Sequence, residues 1–282
     1  MEGGAVSEPC APGTLFIVST PIGNLGDLSL RAVDTLRTAS AVLAEDTRHS
    51  RPLLDRFGVT TSLTAYHEHN EAKTTPALVA RMVAGESLAL ISDAGTPLLS
   101  DPGARLVRAA IEAGVPVSPV PGASALLAAL VGAGLAVDRF TFFGFLPRKG
   151  RERIETIREI VALPHSAVLY EGPPRVGETL ADLADAGAGA RPAVVARELT
   201  KQFEEFRRGT VQSLSESYKV EAPRGEVVLV IGGAPPLAVD EDALRARARA
   251  MRADGLSARD VARVLAEDGH APRNLAYRLA HE

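Results

Sequence analysis

Between Thr14 and Pro121 the chain alternates short apolar runs with helix-like segments, and this alternation constrains the fold more than any other feature. The strand-like runs span residues 15–18, 41–44, 62–66, 88–91 and 115–120. The helical segments between them include residues 29–38, 51–57 and 75–83, with Leu30, Val33 and Leu36 on one face of the first. Strands that are apolar throughout are buried on both faces of a sheet, with helices as right-handed crossovers. The sequence therefore predicts an α/β domain with a parallel sheet.

The second half of the chain has a different pattern. Its strand-like runs span residues 140–145, 167–170, 193–197, 204–208 and 226–231, with helical stretches at 151–161 and 176–186. A short loop separates 193–197 from 204–208, which favours antiparallel pairing. We expect a mixed α+β domain. Three helical patterns follow the linker 232–236, at residues 241–253, 258–266 and 272–280, and Ser257 with Asp260 forms a capping-box variant.

Four parts are predicted from these patterns: a disordered leader (1–13), an N-terminal α/β domain (14–136), a second α+β domain (137–233) and a helical tail (240–282). The single cysteine, Cys10, excludes an internal disulfide framework and a cysteine-rich zinc site, and it suits a reducing cytoplasm. No apolar stretch reaches the about 18 residues of a membrane span.

Charge is distributed unevenly along the chain. The net charge is −4, which argues against indiscriminate binding of nucleic acid. Residues 244–279, however, carry eight arginines and four acids, a local charge of +4. A small helical bundle with this charge, resembling a helix-turn-helix, could contact RNA; its alternative is a dimer-stabilising or solvated appendage.

Loops rich in glycine, proline and polar residues follow the predicted strands of the first half. They span residues 21–27, 44–49, 66–71, 92–103 and 121–125. The carboxyl ends of parallel strands form the edge where open α/β sheets bind ligands. We expect Asp101 to Gly103 to shape and cap the helix after the fourth loop. The dinucleotide fingerprint, the Walker A sequence and the nucleophile-elbow motif are missing, so hydrolase and kinase chemistry have no support.

Two of these loops carry side chains suited to acid–base chemistry. Glu45, Asp46 and Arg48 follow the second strand, although Asp46 or Thr47 could equally cap the next helix with Arg48 paired to Glu45. His67 and His69 follow the third strand, but their spacing lacks the H-E-x-x-H pattern, so we predict no metal site.

A basic loop opens the second half. It contains Arg148, Lys149, Arg151 and Arg153 beside aromatic residues at 142, 143 and 145. Such a loop could track a phosphate backbone. The alternative assigns two of the three aromatic side chains to the core.

Taken in order, the strings TPIGNLGD, AEDTRHS, SDAGTPLLSDPG, PVPGASA, FGFLPRKG and ARELTKQFEE resemble the tetrapyrrole-methylase-like (class III) methyltransferases. Within that family they are similar to the branch that 2′-O-methylates a cytidine in the decoding region of 16S ribosomal RNA. The resemblance implies S-adenosylmethionine as cofactor, a cleft between two domains and a homodimer. It places the cofactor contacts on Pro21, Asp93, Ala94, Gly95, Ser124, Ala125, Phe143, Leu146, Tyr170, Ala196 and Gly225.

The transfer itself needs an acceptor hydroxyl held in line with the sulfonium, and a group that can take its proton. Candidates for the proton are Glu45, Asp46, His67, His69 and Lys201. We expect Asp46 and Arg48 to help place the ribose. The predicted RNA contacts are Arg148, Lys149 and Arg151 in the basic loop, and Arg259 and Arg273 in the tail.

Two other functions stay open at this point. A methylase of corrin or tetrapyrrole rings would need a roomy apolar cleft and no basic appendage. An RNA-binding assembly factor would have lost the small-residue loops at 93–95 and 122–125.

Overall fold

The computed structural model describes residues 13–235, 240–267 and 271–282. It divides the chain into two compact units, Met1–Ala234 and Pro235–Glu282. The predicted leader, except for Gly13, lies outside the described residues, as does Cys10.

The first sheet is parallel and has five strands in the order β3-β2-β4-β1-β5. The strands are β1 (Leu15–Val18), β2 (Ala41–Ala44), β3 (Leu63–Ala65), β4 (Leu88–Leu90) and β5 (Val117–Val120). The helices that connect and follow them are α1 (Leu30–Thr38), α2 (Thr47–Arg56), α3 (Glu71–Val83), α4 (Ala104–Glu112) and α5 (Ala125–Ala133). Apolar clusters cover both faces of this sheet, which is why its strands are apolar throughout.

The second sheet is mixed, with the strand order β6-β7-β10-β8-β9. Its strands are β6 (Phe140–Phe145), β7 (Ser166–Glu171), β8 (Pro192–Arg197), β9 (Glu205–Thr210) and β10 (Val227–Ile231). β6 and β7 are parallel, and the other pairs are antiparallel, including the predicted pairing of β8 with β9. The helices are α6 (Arg151–Ala162), α7 (Val176–Leu183) and α8 (Val211–Val220). The predicted fold class, a parallel sheet followed by a mixed sheet, is confirmed.

The unit Pro235–Glu282 contains the predicted helical tail. Its helices are α9 (Glu241–Ala253), α10 (Ala258–Glu267) and α11 (Arg273–His281). They share an apolar cluster of their own, which includes Leu244, Val261 and Leu265. The Ser257 hydroxyl accepts a hydrogen bond from the Asp260 amide, as a helix cap does.

Several local predictions were wrong. Leu30 is 85% exposed, because α1 buries the neighbouring face that carries Ala32, Val33 and Leu36. Helices α2 and α3 begin four residues earlier than predicted, so Pro52 and Pro76 lie inside them. Helix α8 was not predicted.

Helix α5 joins the two sheets. Its buried face, which includes Leu126 and Leu130, packs in one cluster with Val168 of β7 and Val194 of β8. The amino end of α5 lies directly after the carboxyl end of β5. The ligand-binding edge of the first sheet is thereby brought against the second sheet.

Candidate active site

A cavity of about 360 Å³ lies between the two sheets, at the carboxyl edge of the first. Its volume is within the range of small-molecule sites. We call it the large cavity. The first sheet lines it with Ile22, Asp93, Ala94, Gly95, Thr96, Leu99, Ser100, Asp101, Ser124 and Ala125, and the second with Phe145, Tyr170, Glu171, Gly172, Pro173, Leu199, Gly225, Glu226, Val227 and Val228.

The loop after β4 forms one wall of the large cavity and is held by hydrogen bonds to its neighbours. The backbones of Thr20 and Gly95 exchange two hydrogen bonds, of 2.9 and 3.2 Å between N and O. The Thr96 hydroxyl donates to the Ala123 carbonyl at 3.1 Å. Gly95 has φ +81, and a Cβ there would stand 3.1 Å from Ile22 Cγ2. The loops after β1, β4 and β5 therefore form one connected surface.

Ser124 places an unpaired hydroxyl in the lining of the large cavity. It is the residue before the first turn of α5, yet its side chain makes no capping hydrogen bond. Its Oγ is buried and has no hydrogen-bond partner, and the residue lines the large cavity. Buried hydroxyls are nearly always paired. The cavity therefore suits a ligand with a hydrogen-bonding group at this point.

The second sheet forms the opposite wall of the large cavity, and two groups of residues pack closely there. Tyr170 packs edge-on against Phe142 and Phe145, with ring centroids 4.9 and 5.6 Å apart. Gly225 has φ +83, and a Cβ there would lie 2.1 Å from the Glu198 carboxylate. Only glycine fits this position without movement of its neighbours.

Lys201 holds this wall together. Its Nζ lies 3.0 Å from carboxylate oxygens of both Glu198 and Glu226. Burial lowers the pKa of Lys201, but the two hydrogen bonds outweigh burial and raise the pKa above its ordinary value. Lys201 is thus protonated at neutral pH, which argues against its predicted part as a proton acceptor.

The loop after β2 brings Asp46 and Arg48 together at the start of α2. Asp46 caps the helix and also pairs with Arg48, with 2.9 Å between Nη2 and Oδ2. Hydrogen bonds from the Arg48 side chain and backbone lower the pKa of Asp46 to about 2. The capping alternative therefore describes the observed geometry, except that Arg48 pairs with Asp46 instead of Glu45.

Glu45 has the opposite electrostatic environment. Burial, followed by the negative charge of Asp93, raises the pKa of the Glu45 carboxyl. Asp93 accepts a hydrogen bond from the Asp46 amide at 3.2 Å, which ties this loop to the wall of the large cavity. His67, with a buried Nδ1 that has no partner, and His69 lie outside the cavity lining.

Asp101 lines the large cavity and was not among the predicted site residues. We expected it to help cap α4, but the residue before that helix is Gly103, at φ 129, with no side-chain cap. Burial, with the charges of Glu45 and Asp93, raises the pKa of Asp101 to about 6. Three carboxylates thus give this end of the cavity a negative potential.

A small cavity of about 300 Å³ adjoins the large one. It is lined by Pro21, Gly23, Leu25, His49, Ser50, Pro52, Leu53, Ser92 and Asp93. Asp93 lines both cavities. Pro21, predicted as a cofactor contact, lies here.

Most of the other predicted cofactor residues line the large cavity: Asp93, Ala94, Gly95, Ser124, Ala125, Tyr170 and Gly225. Three do not, because they pack in the core of the second sheet: Phe143, Leu146 and Ala196. An irregularity between Phe142 and Gly144 shifts the register of β6. Phe145 lines the cavity in place of Phe143 as a result.

The predicted RNA contacts are all exposed, but they differ in their partners. Arg148 and Lys149 lie at the surface, and Arg151 pairs with Glu155 at 2.6 Å. Arg259 and Arg273 are exposed in the tail unit. Arg153 is instead buried and bonded to Asp182, so it is not available to a phosphate backbone.

Within the described ranges, no group of three or more His, Cys, Asp or Glu side chains could hold a metal ion. No helix in that part of the chain is long and apolar enough to span a membrane.

Residues 14–215 match the family described as tetrapyrrole (corrin/porphyrin) methylases. The chain therefore belongs to the tetrapyrrole methylase family, and the resemblance stated from its motifs is confirmed. It is a methyltransferase, and the predicted cofactor, S-adenosylmethionine, is confirmed at the level of the family. The unpaired Ser124 hydroxyl can bond a polar group of this cofactor, and Gly95 and Gly225 keep the backbone accessible to it.

Individual similar proteins indicate which kind of methyltransferase this chain resembles. A protein from Synechocystis sp. named ribosomal RNA small subunit methyltransferase I is 46% identical over 96% of this chain and 98% of its own length. A protein of the same name from Escherichia coli O157:H7 is 40% identical over 96% of this chain and 95% of its own length. Uroporphyrin-III C-methyltransferase from Thermus thermophilus, solved with S-adenosylhomocysteine, has a TM-score of 0.57 and 22% identity, covering 78% of this chain and 97% of its own. This last likeness shows the shared fold.

Proposed function

We propose that the chain transfers the methyl group of S-adenosylmethionine to the ribose 2′-hydroxyl of a cytidine in the decoding region of 16S ribosomal RNA. The observation that carries this proposal is the 46% identity, over 96% of the chain, to a relative named for methylation of small-subunit ribosomal RNA. Exposed cations at Arg148 and Lys149 suit a polyanionic substrate.

The large cavity is the proposed cofactor site. The Ser124 hydroxyl can bond a polar group of the ligand, and Gly95 lets the ligand approach the backbone closely. Tyr170 and Phe145 offer an aromatic wall. The bound cofactor supplies an activated methyl group, so the protein acts mainly by holding the acceptor in line and excluding water.

Among the candidate proton acceptors, Glu45 has the most suitable properties. Its pKa is raised, whereas Asp46 is held ionised by Arg48 and Lys201 is held protonated. A general base works best when its pKa is near the working pH. We propose that Glu45 assists deprotonation and that Asp46 and Arg48 position the ribose. Glu45→Gln is expected to lower kcat about 100-fold or more at unchanged cofactor affinity. Full activity of both Asp46→Ala and Arg48→Ala would reject their positioning role.

The proposed reaction is tested by incubating the purified protein with methyl-labelled S-adenosylmethionine and small ribosomal subunits or 16S RNA from cells lacking the protein. Mass spectrometry of the RNA digest then identifies the modified nucleoside. We expect 2′-O-methylcytidine in a fragment from the decoding region. A methyl group on the base, or labelling elsewhere, contradicts the proposal.

We propose that the tail contributes to RNA binding. The exposed Arg259 and Arg273 lie within residues 244–279, which hold eight arginines and four acids, although residues 240–282 as a whole hold eight of each. Deletion of residues 240–282 is expected to weaken RNA binding and to make it less dependent on salt concentration, because phosphate contacts are lost. Cofactor binding should stay intact. Unchanged RNA affinity would instead favour the alternative role as an appendage.

We propose a homodimer formed through α5. The helix buries one face, but Leu127 and Val131, one turn apart on its other face, are 52% and 75% exposed. A helix that is apolar on all sides is usually buried. Val131→Glu should give a monomer in light-scattering chromatography, whereas Val220→Glu, at an 89% exposed position at the end of α8, should not. A monomeric wild-type protein rejects the proposal.

A further inference from the structure

The small cavity is built from three elements at the carboxyl edge of the first sheet. Pro21 and Leu25 come from the loop after β1, Ser50 and Leu53 from α2, and Asp93 from the loop after β4. Because Asp93 also lines the large cavity, a ligand in the small cavity would have the proposed cofactor site as its neighbour.

The wall of the small cavity combines apolar surface with one buried polar group. Pro21, Leu25 and Leu53 offer apolar faces, and His49 adds a planar ring. Ser50 is only 2% exposed, and its Oγ is buried without a hydrogen-bond partner. A hydroxyl can both donate and accept. This combination matches a flat heterocycle that has donors and acceptors along one edge.

We propose that the small cavity receives the base of the acceptor nucleotide, with its ribose at the junction formed by Asp93. This inference rests on the proposed function, since it takes a ribonucleotide as the acceptor. Single-stranded RNA bases are commonly turned out and bound on their polar edges. The exposed Arg48 directly precedes His49 in α2, so the Asp46–Arg48 pair proposed to position the ribose lies next to a residue of this cavity.

The polar contact is tested with Ser50→Ala. We expect kcat/KM for the RNA to fall about five- to tenfold, the effect of one lost hydrogen bond, while the dissociation constant of S-adenosylmethionine stays the same. Ser215→Ala is the matched control, because Ser215 is also a buried serine whose Oγ has no partner, but it lies in α8 outside both cavities. This control should retain wild-type kinetics.

The space itself is tested with Leu25→Trp, which places bulk at the mouth of the small cavity from a residue that is 45% exposed. We expect KM for the RNA to rise at least tenfold with unchanged cofactor affinity. Leu30→Trp, on the exposed face of α1 and 85% exposed, is its control.

The outcomes separate this inference from the proposed function. If the wild-type protein methylates the RNA but both Ser50→Ala and Leu25→Trp keep wild-type kcat/KM, the inference is overturned and the function stands. If these variants weaken the binding of S-adenosylmethionine and leave RNA binding unchanged, the small cavity belongs to the cofactor site and the inference is overturned. A wild-type protein without ribosomal RNA activity overturns both.

Discussion

Asp101→Asn is expected to make the unliganded protein more stable and a weaker cofactor binder. Burial and the neighbouring carboxylates raise the pKa of Asp101 from 3.8 to about 6. Because the folded state then holds a proton more tightly than the unfolded state, stability falls as pH rises through this window. The corresponding cost is ~3 kcal/mol at most. Asp101 is only half-buried, so solvent screening reduces the expected gain on substitution to about 1 kcal/mol.

This gain corresponds to a rise of about 3 °C in the unfolding midpoint of the variant at pH 7.5, measured by calorimetry against wild type. The difference should shrink as the pH falls toward 4 and vanish well below 3.8, where Asp101 is protonated in both the folded and the unfolded state. Asp138→Asn, at an exposed position outside the large cavity, is the control. S-adenosylmethionine should bind the Asp101 variant several-fold more weakly, and the uncharged thioether product should be affected less. A destabilised variant, or the same difference at pH 4 and 7.5, would refute this electrostatic reasoning.

Three further substitutions test the structure. Gly225→Ala, which forces a Cβ to 2.1 Å from Glu198, should weaken cofactor binding at least tenfold by titration calorimetry, whereas Gly187→Ala, at φ +107 with nothing within 4 Å, should not. Ser124→Ala should raise the cofactor dissociation constant about fivefold without loss of thermal stability. Arg191→Met should lower the free energy of unfolding in urea by about 2–3 kcal/mol, because the buried guanidinium donates to the carbonyls of Gly232 and Ile160.

The strands of the first sheet and their parallel arrangement could be predicted, because a strand buried on both faces is apolar throughout. The same logic placed the loops of the candidate site. The loops that contain Asp93, Gly95 and Ser124 follow buried strands directly, so the predicted topology carries them to one edge, whereas only the family resemblance singled out these three residues within the loops. Side-chain direction within β2 to β5 hardly affected this result, since the contacts come from the loops.

The second sheet shows why the remaining site residues were missed. Alternation along β6 depends on an unbroken register, and the irregularity before Gly144 turns Phe145 toward the large cavity. A glycine with φ +61 marks the place, but many glycines carry no such irregularity. Helix α8 was missed because its serines favour other conformations, although Thr210 and Ser213 form a capping box.

Asp101 and Arg153 illustrate a second limit. Both were assigned from their neighbours in sequence, Asp101 to a helix cap and Arg153 to a basic loop. The charges that act on them come from elsewhere in the chain: Glu45 and Asp93 repel the Asp101 carboxylate, and Asp182 bonds Arg153. Charge patterns along a sequence do not reveal pairs formed by folding, so the electrostatics of the site could not be predicted.

Backbone strain is concentrated at the large cavity. In the described part of the chain, the non-glycine residues in the left-handed region are Leu98, Ser100, Glu198 and Thr200, and they lie in the two loops that form opposite walls. Each such residue costs roughly 1–3 kcal/mol unless its surroundings fix it. At Thr200, hydrogen bonds supply that constraint: its amide donates to Glu204 at 2.7 Å, and its hydroxyl accepts from the Asn24 amide at 3.1 Å.

These contacts bear on how the cofactor is received. The bond between Thr200 and Asn24 links the loop of the second sheet to the loop after β1. Relaxation of the strained Thr200 backbone would break this bond, so the protein itself restrains this part of the wall without a ligand. A cavity with a negative end and one unpaired hydroxyl favours a cationic ligand with a polar anchor, which is the chemistry of S-adenosylmethionine.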